Sequence, residues 1–266
     1  MTAELSSLEK TLVVPLWHRA QASKAHPELL NDAKAIELVN HLDYDFSIFE
    51  QRFKAQDSLR SAARARQFDD LLRAYIGTHP CASIVNLGAG LDTAFFRVDN
   101  GSIEWYDVDL PNVIALRTQL LPEPDRVEYI AKSLFDMTWC ADLVHTDNGI
   151  FILAKGILWF FGEAEIKRFF SSLADALPGA ELICEASSKI GASIVNNSLK
   201  SVDMDAEVKW ELEDAHVIAE WDSRITLIDQ IPSYLNPRDP AWAEQSLENI
   251  DLSDLTNALS IVHLRV

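Results

Sequence analysis

Cysteine, basic residues and long apolar runs are all scarce in this chain of 266 residues. The three cysteines, Cys81, Cys140 and Cys184, lie far apart, so neither a disulfide framework nor a zinc site is expected. No window approaches the roughly 18 uninterrupted apolar residues of a membrane-spanning helix. The N-terminus is polar and acidic, without the basic and apolar segments of a secretory signal peptide. These absences favour a reduced, cytoplasmic protein without a metal site.

Positive charge is also scarce, because 23 Lys and Arg stand against 41 Asp and Glu and give a formal net charge of −18. A nucleic-acid partner requires clustered cations that neutralise phosphates, so none is expected. An anionic membrane surface is disfavoured for the same reason. The charge keeps the chain soluble at neutral pH and also suits a cationic ligand.

The chain does contain an alternation of short β-rich runs and helical patterns, which is typical of parallel βαβ units. Apolar residues at helical spacing predict amphipathic helices over 58–76 and 163–177, each ended by glycine and proline. Strands are predicted over 83–87, 103–108, 127–131, 150–154, 181–185, 225–231 and 260–266.

The length predicts one domain over residues 1–266. Within it, residues 1–55 are helical in character and form a candidate cap, and 56–186 form the ligand-binding core. A polar insertion is predicted over 187–223, and the strands of 224–266 are expected to complete the sheet.

A glycine loop follows the first predicted strand, as Gly88-Ala89-Gly90. Glycine lets the backbone turn sharply and lets a ligand approach it closely. A dinucleotide fingerprint would place a third small residue at position 93, but the loop continues Leu91-Asp92-Thr93. A carboxylate at Asp92 would repel a pyrophosphate and suit the ammonium of a methionine moiety. The loop therefore favours S-adenosylmethionine, and a nicotinamide-dependent oxidoreductase is a remote alternative.

Three charged residues near the loop are further candidates for ligand binding. Asp107 and Asp109 end the second strand about 20 residues after the first glycine, where nucleotide-binding folds place the acid that accepts ribose hydroxyls. Arg64 lies four residues before Phe68, so it falls on the apolar face of its helix. A buried arginine needs a partner, which a ligand carboxylate would supply.

These segments resemble the leucine carboxyl methyltransferase family, and within it the bacterial branch of tetracenomycin-type polyketide O-methyltransferases. The resemblance covers nearly the whole chain, and its most specific parts are the glycine loop followed by Asp92-Thr93 and the run Asp107-Val108-Asp109-Leu110-Pro111. The similar segments are 15–20, 43–46, 63–70, 85–93, 105–111, 210–212, 225–231 and 261–265.

The resemblance implies a class I methyltransferase with a Rossmann-like α/β fold, in which a mostly parallel seven-stranded sheet has helices on both faces and an N-terminal helical cap. It also implies S-adenosylmethionine across the strand ends. Arg64 would hold the methionine carboxylate, Gly88 would approach the methionine portion, and Asp109 would accept the ribose hydroxyls, with Asp107 as the second choice. The other expected residues of the cofactor site are Ala89, Gly90, Asp92, Ser133 and Leu134 beside the adenine, and Lys155.

The same resemblance makes the helices before the glycine loop a substrate lid, with Arg19 and Tyr44 as lining residues. Trp159, in the aromatic run 159–161, is a further lining candidate. Two positions depart from the family, because Lys155 replaces its glutamate after the fourth strand and Ala94 replaces an arginine. A lysine near a sulfonium should weaken cofactor binding unless it is neutral or turned toward an acid.

The function implied is O-methyl transfer to a small-molecule carboxylate or phenolic hydroxyl. A carboxylate acceptor needs no general base, whereas a phenol needs one. No base is singled out, and the oligomeric state is left open. The alternative suggested by Lys155 is a non-catalytic protein of the same fold that binds S-adenosylmethionine without turnover. The candidate bases are His18, His41, His145, His216 and Glu185.

Overall fold

A computed structural model describes residues 7–202, 204–233 and 258–266 of the chain. Within these residues, seven strands form one sheet in the order β3-β2-β1-β4-β5-β7-β6. Strands β1 to β5 are parallel to one another, and β7 runs antiparallel to its two neighbours, β5 and β6. The strands are β1 (Ser83–Leu87), β2 (Glu104–Asp109), β3 (Val127–Ala131), β4 (Ile150–Ala154), β5 (Glu181–Ser187), β6 (Thr226–Pro232) and β7 (Leu259–Arg265).

Helices surround this sheet, which confirms the predicted fold class. The two helices predicted from sequence correspond to α4 and α7, and α8 and α9 lie in the segment predicted as an insertion. The helices of the described residues are α1 (Ser7–Ala25), α2 (Ala33–His41), α3 (Ser47–Arg52), α4 (Ala55–Thr78), α5 (Phe95–Val98), α6 (Pro111–Leu120), α7 (Glu163–Ala176), α8 (Lys189–Ser201) and α9 (His216–Trp221).

The central strands are buried on both faces because helices cover each side. In β1, Ile84 belongs to a cluster with Phe68 of α4, whereas Val85 packs on the opposite face in a cluster with Phe169 of α7. Successive side chains of a strand point to opposite faces, so an apolar run is needed where both faces are covered. The edge strands β3 and β6 are partly exposed instead.

Helices α1 to α3 form a cap beside the end of β1. Leu16 of α1 and Leu38 of α2 share a buried cluster with Phe49 of α3 and with Leu91, which follows the glycine loop. His18 of α1 also contacts Ser58 of α4, with 3.0 Å between Nδ1 and Oγ. The cap is therefore packed directly on the loop and on α4.

A buried cluster of charges attaches this cap to the core. The Arg97 guanidinium donates to both carboxylate oxygens of Asp69 at 2.6 and 2.9 Å and to Asp32 at 2.6 Å. Asp32, the residue before α2, also accepts hydrogen bonds from Arg19 at 3.0 Å and from the Thr93 hydroxyl at 2.6 Å. A single carboxylate thus connects the cap, the segment after the glycine loop and the start of α5.

Within the described ranges, no helix is both long enough and apolar enough to cross a lipid bilayer.

Replacing Arg97 with methionine should be strongly destabilising, because it removes the guanidinium partner of the buried carboxylate of Asp69 and leaves Asp32 with that of Arg19 alone. Breaking a buried pair in this way costs about 3–5 kcal/mol. Urea unfolding followed by circular dichroism measures the loss. The control is Lys167→Met, which removes an exposed partner of Glu163 and should cost under about 1 kcal/mol. Equal losses in the two variants would contradict this account of the cluster.

His18 should make the protein less stable in acid. Burial and the nearby Arg64 and Arg19 lower its pKa from 6.5 to about 3. Between these two values the unfolded chain binds a proton that the folded chain does not, so stability falls as pH falls below about 6.5. From pH 7 to pH 5 the contribution is about 2 kcal/mol. Unfolding measured at both pH values should show a smaller acid loss for His18→Gln than for the wild type. An unchanged loss would mean that His18 takes up its proton in the folded state.

Candidate active site

The predicted site residues lie along one edge of the sheet, where the parallel strands end. Ligands of open α/β sheets bind outside this carboxyl edge. The order of the strands in the sheet gives the order of these positions along the edge, from β3 to β5. In that order they are Ser133 and Leu134 after β3, Asp109 ending β2, Gly88 to Gly90 after β1, Lys155 after β4 and Glu185 in β5.

The loop after β1 requires its glycines. Gly88 and Gly90 have φ angles of +64° and +49°, in the left-handed region that other residues rarely adopt. A Cβ added at Gly88 would lie 2.7 Å from Cγ1 of Ile157, and one at Gly90 would lie 3.0 Å from Cδ2 of Leu12. The bare backbone therefore faces side chains of the β4 loop and of α1.

Arg117 of α6 holds this loop in place. Its Nη1 donates to the carbonyl oxygens of Gly90 and Asp92 at 2.9 and 2.8 Å, and its Nη2 donates to Asp107 at 2.5 Å. The Arg117 side chain is almost fully buried. Arg117 therefore connects the glycine loop to β2 from a buried position.

Asp107 and Asp109 have different environments although they are two residues apart. Asp107 is fully buried, and besides Arg117 it accepts hydrogen bonds from Asn86 at 2.8 Å and from the Trp105 indole at 2.9 Å. Asp109 is partly exposed and accepts from the backbone N–H groups of Gly90 and Leu110. Burial raises its pKa against the effect of those two amides. Of the two acids, Asp109 is the one with oxygen lone pairs at the edge.

Lys155 and Asp92 form an ion pair with each other. The Lys155 ammonium donates to Oδ2 of Asp92, and Oδ1 accepts from the Thr93 amide at 2.8 Å. Burial would raise the pKa of Asp92, but Lys155, Arg19 and Arg97 outweigh it and hold this pKa far below its usual range. The lysine that departs from the family is therefore turned toward an acid and its charge is compensated.

Arg64 of α4 reaches the end of β5, where its Nε lies 3.2 Å from Oε1 of Glu185. Glu185 is 1% exposed and the Arg64 side chain is 26% exposed. Burial raises the pKa of Glu185, and the charges of Arg64 and Lys155 oppose that rise. A charged pair whose arginine is partly exposed therefore lies at the β5 end of the edge.

The remaining predicted residues divide between the edge and the cap. Trp159 lies close to Glu185, since a Cβ at Gly156 would be 3.5 Å from Cζ2 of Trp159 and 3.5 Å from Oε2 of Glu185. Arg19 donates instead to Asp32 and to the Leu91 carbonyl oxygen.

Tyr44 packs within the cap, with ring centroids 5.0 and 5.6 Å from those of Phe46 and Phe49. Ser133 accepts a hydrogen bond from the Phe135 amide at 3.3 Å, and Leu134 is buried. Both follow β3 beyond Ala131, which pairs with Asp109 in the sheet.

Sequence reasoning missed Arg117, Arg97 and Asp32. Arg117 carried a usable signal, because it lies three and four residues after the buried Ile114 and Val113 and so falls on the apolar face of α6. Arg97 and Asp32 carried none, since their contacts join residues up to 65 positions apart. Glu185 was considered as a base and was not expected beside Arg64.

Comparisons with known proteins identify the family of this chain. The family model for leucine carboxyl methyltransferase matches residues 12–174. The tetracenomycin polyketide synthesis O-methyltransferase TcmP of Streptomyces glaucescens is 32% identical over 70% of this chain and 68% of its own length. An S-adenosyl-L-methionine-dependent methyltransferase of Gibberella zeae, dpfgK, is 26% identical over 79% of this chain and 77% of its own.

Solved structures show the same fold at low identity. The plantazolicin methyltransferase BamL, crystallised with S-adenosylhomocysteine and a triazolic substrate analogue, superposes with a TM-score of 0.58 at 13% identity, covering 97% of this chain and 98% of BamL. A DUF574-family protein of Streptomyces avermitilis gives a TM-score of 0.59 at 13% identity, covering 94% and 96%. The chain belongs to the leucine carboxyl methyltransferase family, whose members are S-adenosylmethionine-dependent methyltransferases.

Proposed function

We propose that this protein transfers a methyl group from S-adenosylmethionine to an oxygen atom of a small molecule, either a carboxylate or a phenolic hydroxyl. The main support is the row of complementary groups along the carboxyl edge, with Asp109 at one end, the bare loop at Gly88 in the middle and Arg64 at the other end. TcmP, the relative named above, is an O-methyltransferase of polyketide synthesis.

The residues present fit this cofactor. Each oxygen of Asp109 accepts one backbone hydrogen bond and has a further lone pair for a ribose hydroxyl. Arg64 offers a partly exposed guanidinium for the methionine carboxylate. Ser133 and Leu134 stand beyond Asp109 on the side proposed for adenine. Asp107 forms an ion pair with Arg117 and is not proposed to bind the cofactor.

When bound, S-adenosylmethionine supplies an electrophilic methyl group on a positively charged sulfur. The chain's own residues then have to align the acceptor oxygen with that methyl group and keep water away. Two side chains beside the loop support both tasks, because Leu12 of the cap lies against Gly90 and Ile157, which follows β4, lies against Gly88. Trp159, buried beside Glu185, is proposed to line the acceptor side.

The structure narrows the choice of a base for a phenolic acceptor. His41 and His216 are exposed and bound to nearby groups of their own segments, and His145 follows Val144, whose carbonyl accepts from Ser83 at the start of β1. His145 is therefore at the end of β1 opposite the carboxyl edge, and the exposed His41 and His216 are not proposed as bases. His18 has a pKa of about 3 and would be a weak base. A carboxylate acceptor would need none, and both acceptor classes stay within the proposal.

Two observations disfavour the alternatives. A nicotinamide dinucleotide would need a helix N-terminus at its pyrophosphate, but α5 after the loop spans Phe95–Val98, which is about one turn. A degenerate site was suggested by the uncompensated charge of Lys155, yet Asp92 compensates it. An active enzyme is therefore the proposal that the contacts support best.

Gly88→Ala should weaken the binding of S-adenosylhomocysteine by at least about tenfold, because the new Cβ meets Ile157 and the φ of +64° becomes strained. Isothermal titration calorimetry measures the change. Gly101→Ala is the matched control, since Gly101 also has a positive φ, of +83°, but its Cβ would meet nothing within 4 Å. Unchanged affinity in Gly88→Ala would place the cofactor elsewhere.

The acceptor class is tested by incubating the protein with a panel of phenols and aromatic carboxylates and detecting methylated products by mass spectrometry.

Lys155→Glu should lower cofactor affinity several-fold to about tenfold. The substitution replaces the ion pair between Lys155 and Asp92 with two carboxylates, and their repulsion should disturb the segment that follows the glycine loop. Calorimetry with S-adenosylhomocysteine and a methyl-transfer assay test this, with Lys155→Met as the control that removes charge without adding repulsion. Higher affinity or activity in Lys155→Glu would instead support the degenerate-site alternative.

A further inference from the structure

Four carboxylates of the described residues lie at or just below the ligand edge, and three of them have hydrogen-bonded partners in the protein. Asp107 binds Arg117, Asp92 binds Lys155, and Asp109 accepts two backbone N–H groups. Glu185 differs from these three. It contacts Arg64 at 3.2 Å and is favoured as a carboxylate by the Gly156 amide, but neither neighbour donates a hydrogen bond of regular geometry to its oxygens.

Such a carboxylate calls for a further donor. Glu185 is 1% exposed, and a buried polar group without hydrogen bonds is costly unless a ligand or another group satisfies it. Its surroundings leave room for one, because the neighbouring Gly156 has no side chain and a Cβ there would lie 3.5 Å from Oε2. The indole N–H of Trp159, close to the same glycine, also has no partner among the described residues.

The chemistry of an amino acid matches the pair formed by Glu185 and Arg64. The methionine moiety of the cofactor carries an ammonium and a carboxylate on one carbon atom, so the groups that bind them must be close together and opposite in charge. Glu185 and Arg64 meet this requirement at 3.2 Å. They also lie at the β5 end of the edge, away from Asp109 in β2, which is the proposed ribose end.

We propose that Glu185 binds the ammonium of the cofactor's methionine moiety while Arg64 binds its carboxylate. This inference rests on the proposed function and moves to Glu185 the role that the sequence suggested for Asp92. Asp92 is a poorer choice because Lys155 already compensates its charge. A charge-assisted hydrogen bond from the ammonium would supply Glu185 with a well-aligned donor.

Calorimetry with two ligands tests the assignment. The ligands are S-adenosylhomocysteine and its deaminated analogue, 5′-S-(3-carboxypropyl)-5′-thioadenosine, which keeps the carboxylate and lacks the amino group. Glu185→Gln should bind S-adenosylhomocysteine at least about tenfold more weakly than the wild type, because a charged acceptor is lost. The deaminated analogue should bind both proteins equally. Glu181→Gln, four residues earlier in the same strand and at the opposite edge, should bind both ligands as the wild type does.

The results distinguish binding of the ammonium by Glu185 from a role of Glu185 in positioning Arg64. An equal loss for both ligands in Glu185→Gln would overturn the proposal, because it would show that Glu185 only positions Arg64. Wild-type affinity for S-adenosylhomocysteine in Glu185→Gln would also overturn it. Thermal unfolding checks that each variant is folded, and if Glu185→Gln is not, Glu185→Asp carries the test. In that variant, preference for the amino-bearing ligand should fall, and an unchanged preference would contradict the assignment. If the wild type binds neither ligand, the proposed function itself fails.

Discussion

The candidate site depends on one buried guanidinium. Arg117 donates to two carbonyl oxygens of the glycine loop and to the carboxylate of Asp107, so it joins α6, β2 and the turn after β1. The N–H groups of Gly88 and Gly90 already have acceptors in β2, and Arg117 supplies donors to the carbonyl oxygens of Gly90 and Asp92. Asp107 in turn compensates the charge of Arg117. Asp107, which the sequence suggested as a ligand-binding acid, therefore supports the loop against which the ligand would lie.

The site also shows how a chain with a net charge of −18 manages its local charges. Asp92 is compensated by Lys155, Asp32 and Asp69 by Arg97, and Asp107 by Arg117. A buried charge has to be paired with a charge of opposite sign, whereas a surface carboxylate can stay solvated. The excess of acid therefore says little about the edge, and the departure at Lys155 is explained by its partner Asp92.

Much of the fold could be predicted from sequence, because it depends on local periodicity. The strand bounds differ from prediction by no more than two residues, and Gly88 and Gly90 adopt the conformations that the loop pattern implied. The roles of the charged residues were harder to predict. Asp107 and Asp109 share a strand face, yet one is enclosed by Trp105 and Asn86 while the other reaches the edge, a difference set by residues elsewhere in the chain. Sequence spacing identifies the face of an element, and tertiary packing decides which charges meet.

Helix α1 has two contacts with the segment that follows β1. Leu12 lies against the position where Gly90 lacks a side chain, and seven residues later Arg19 donates to the carbonyl oxygen of Leu91. A displacement of this helix would uncover the turn and remove one of its backbone hydrogen bonds at the same time. The position of α1 therefore affects both the access of a ligand to the turn and the conformation of the turn. A ligand that entered after such a displacement would meet a turn that had lost one of its hydrogen bonds.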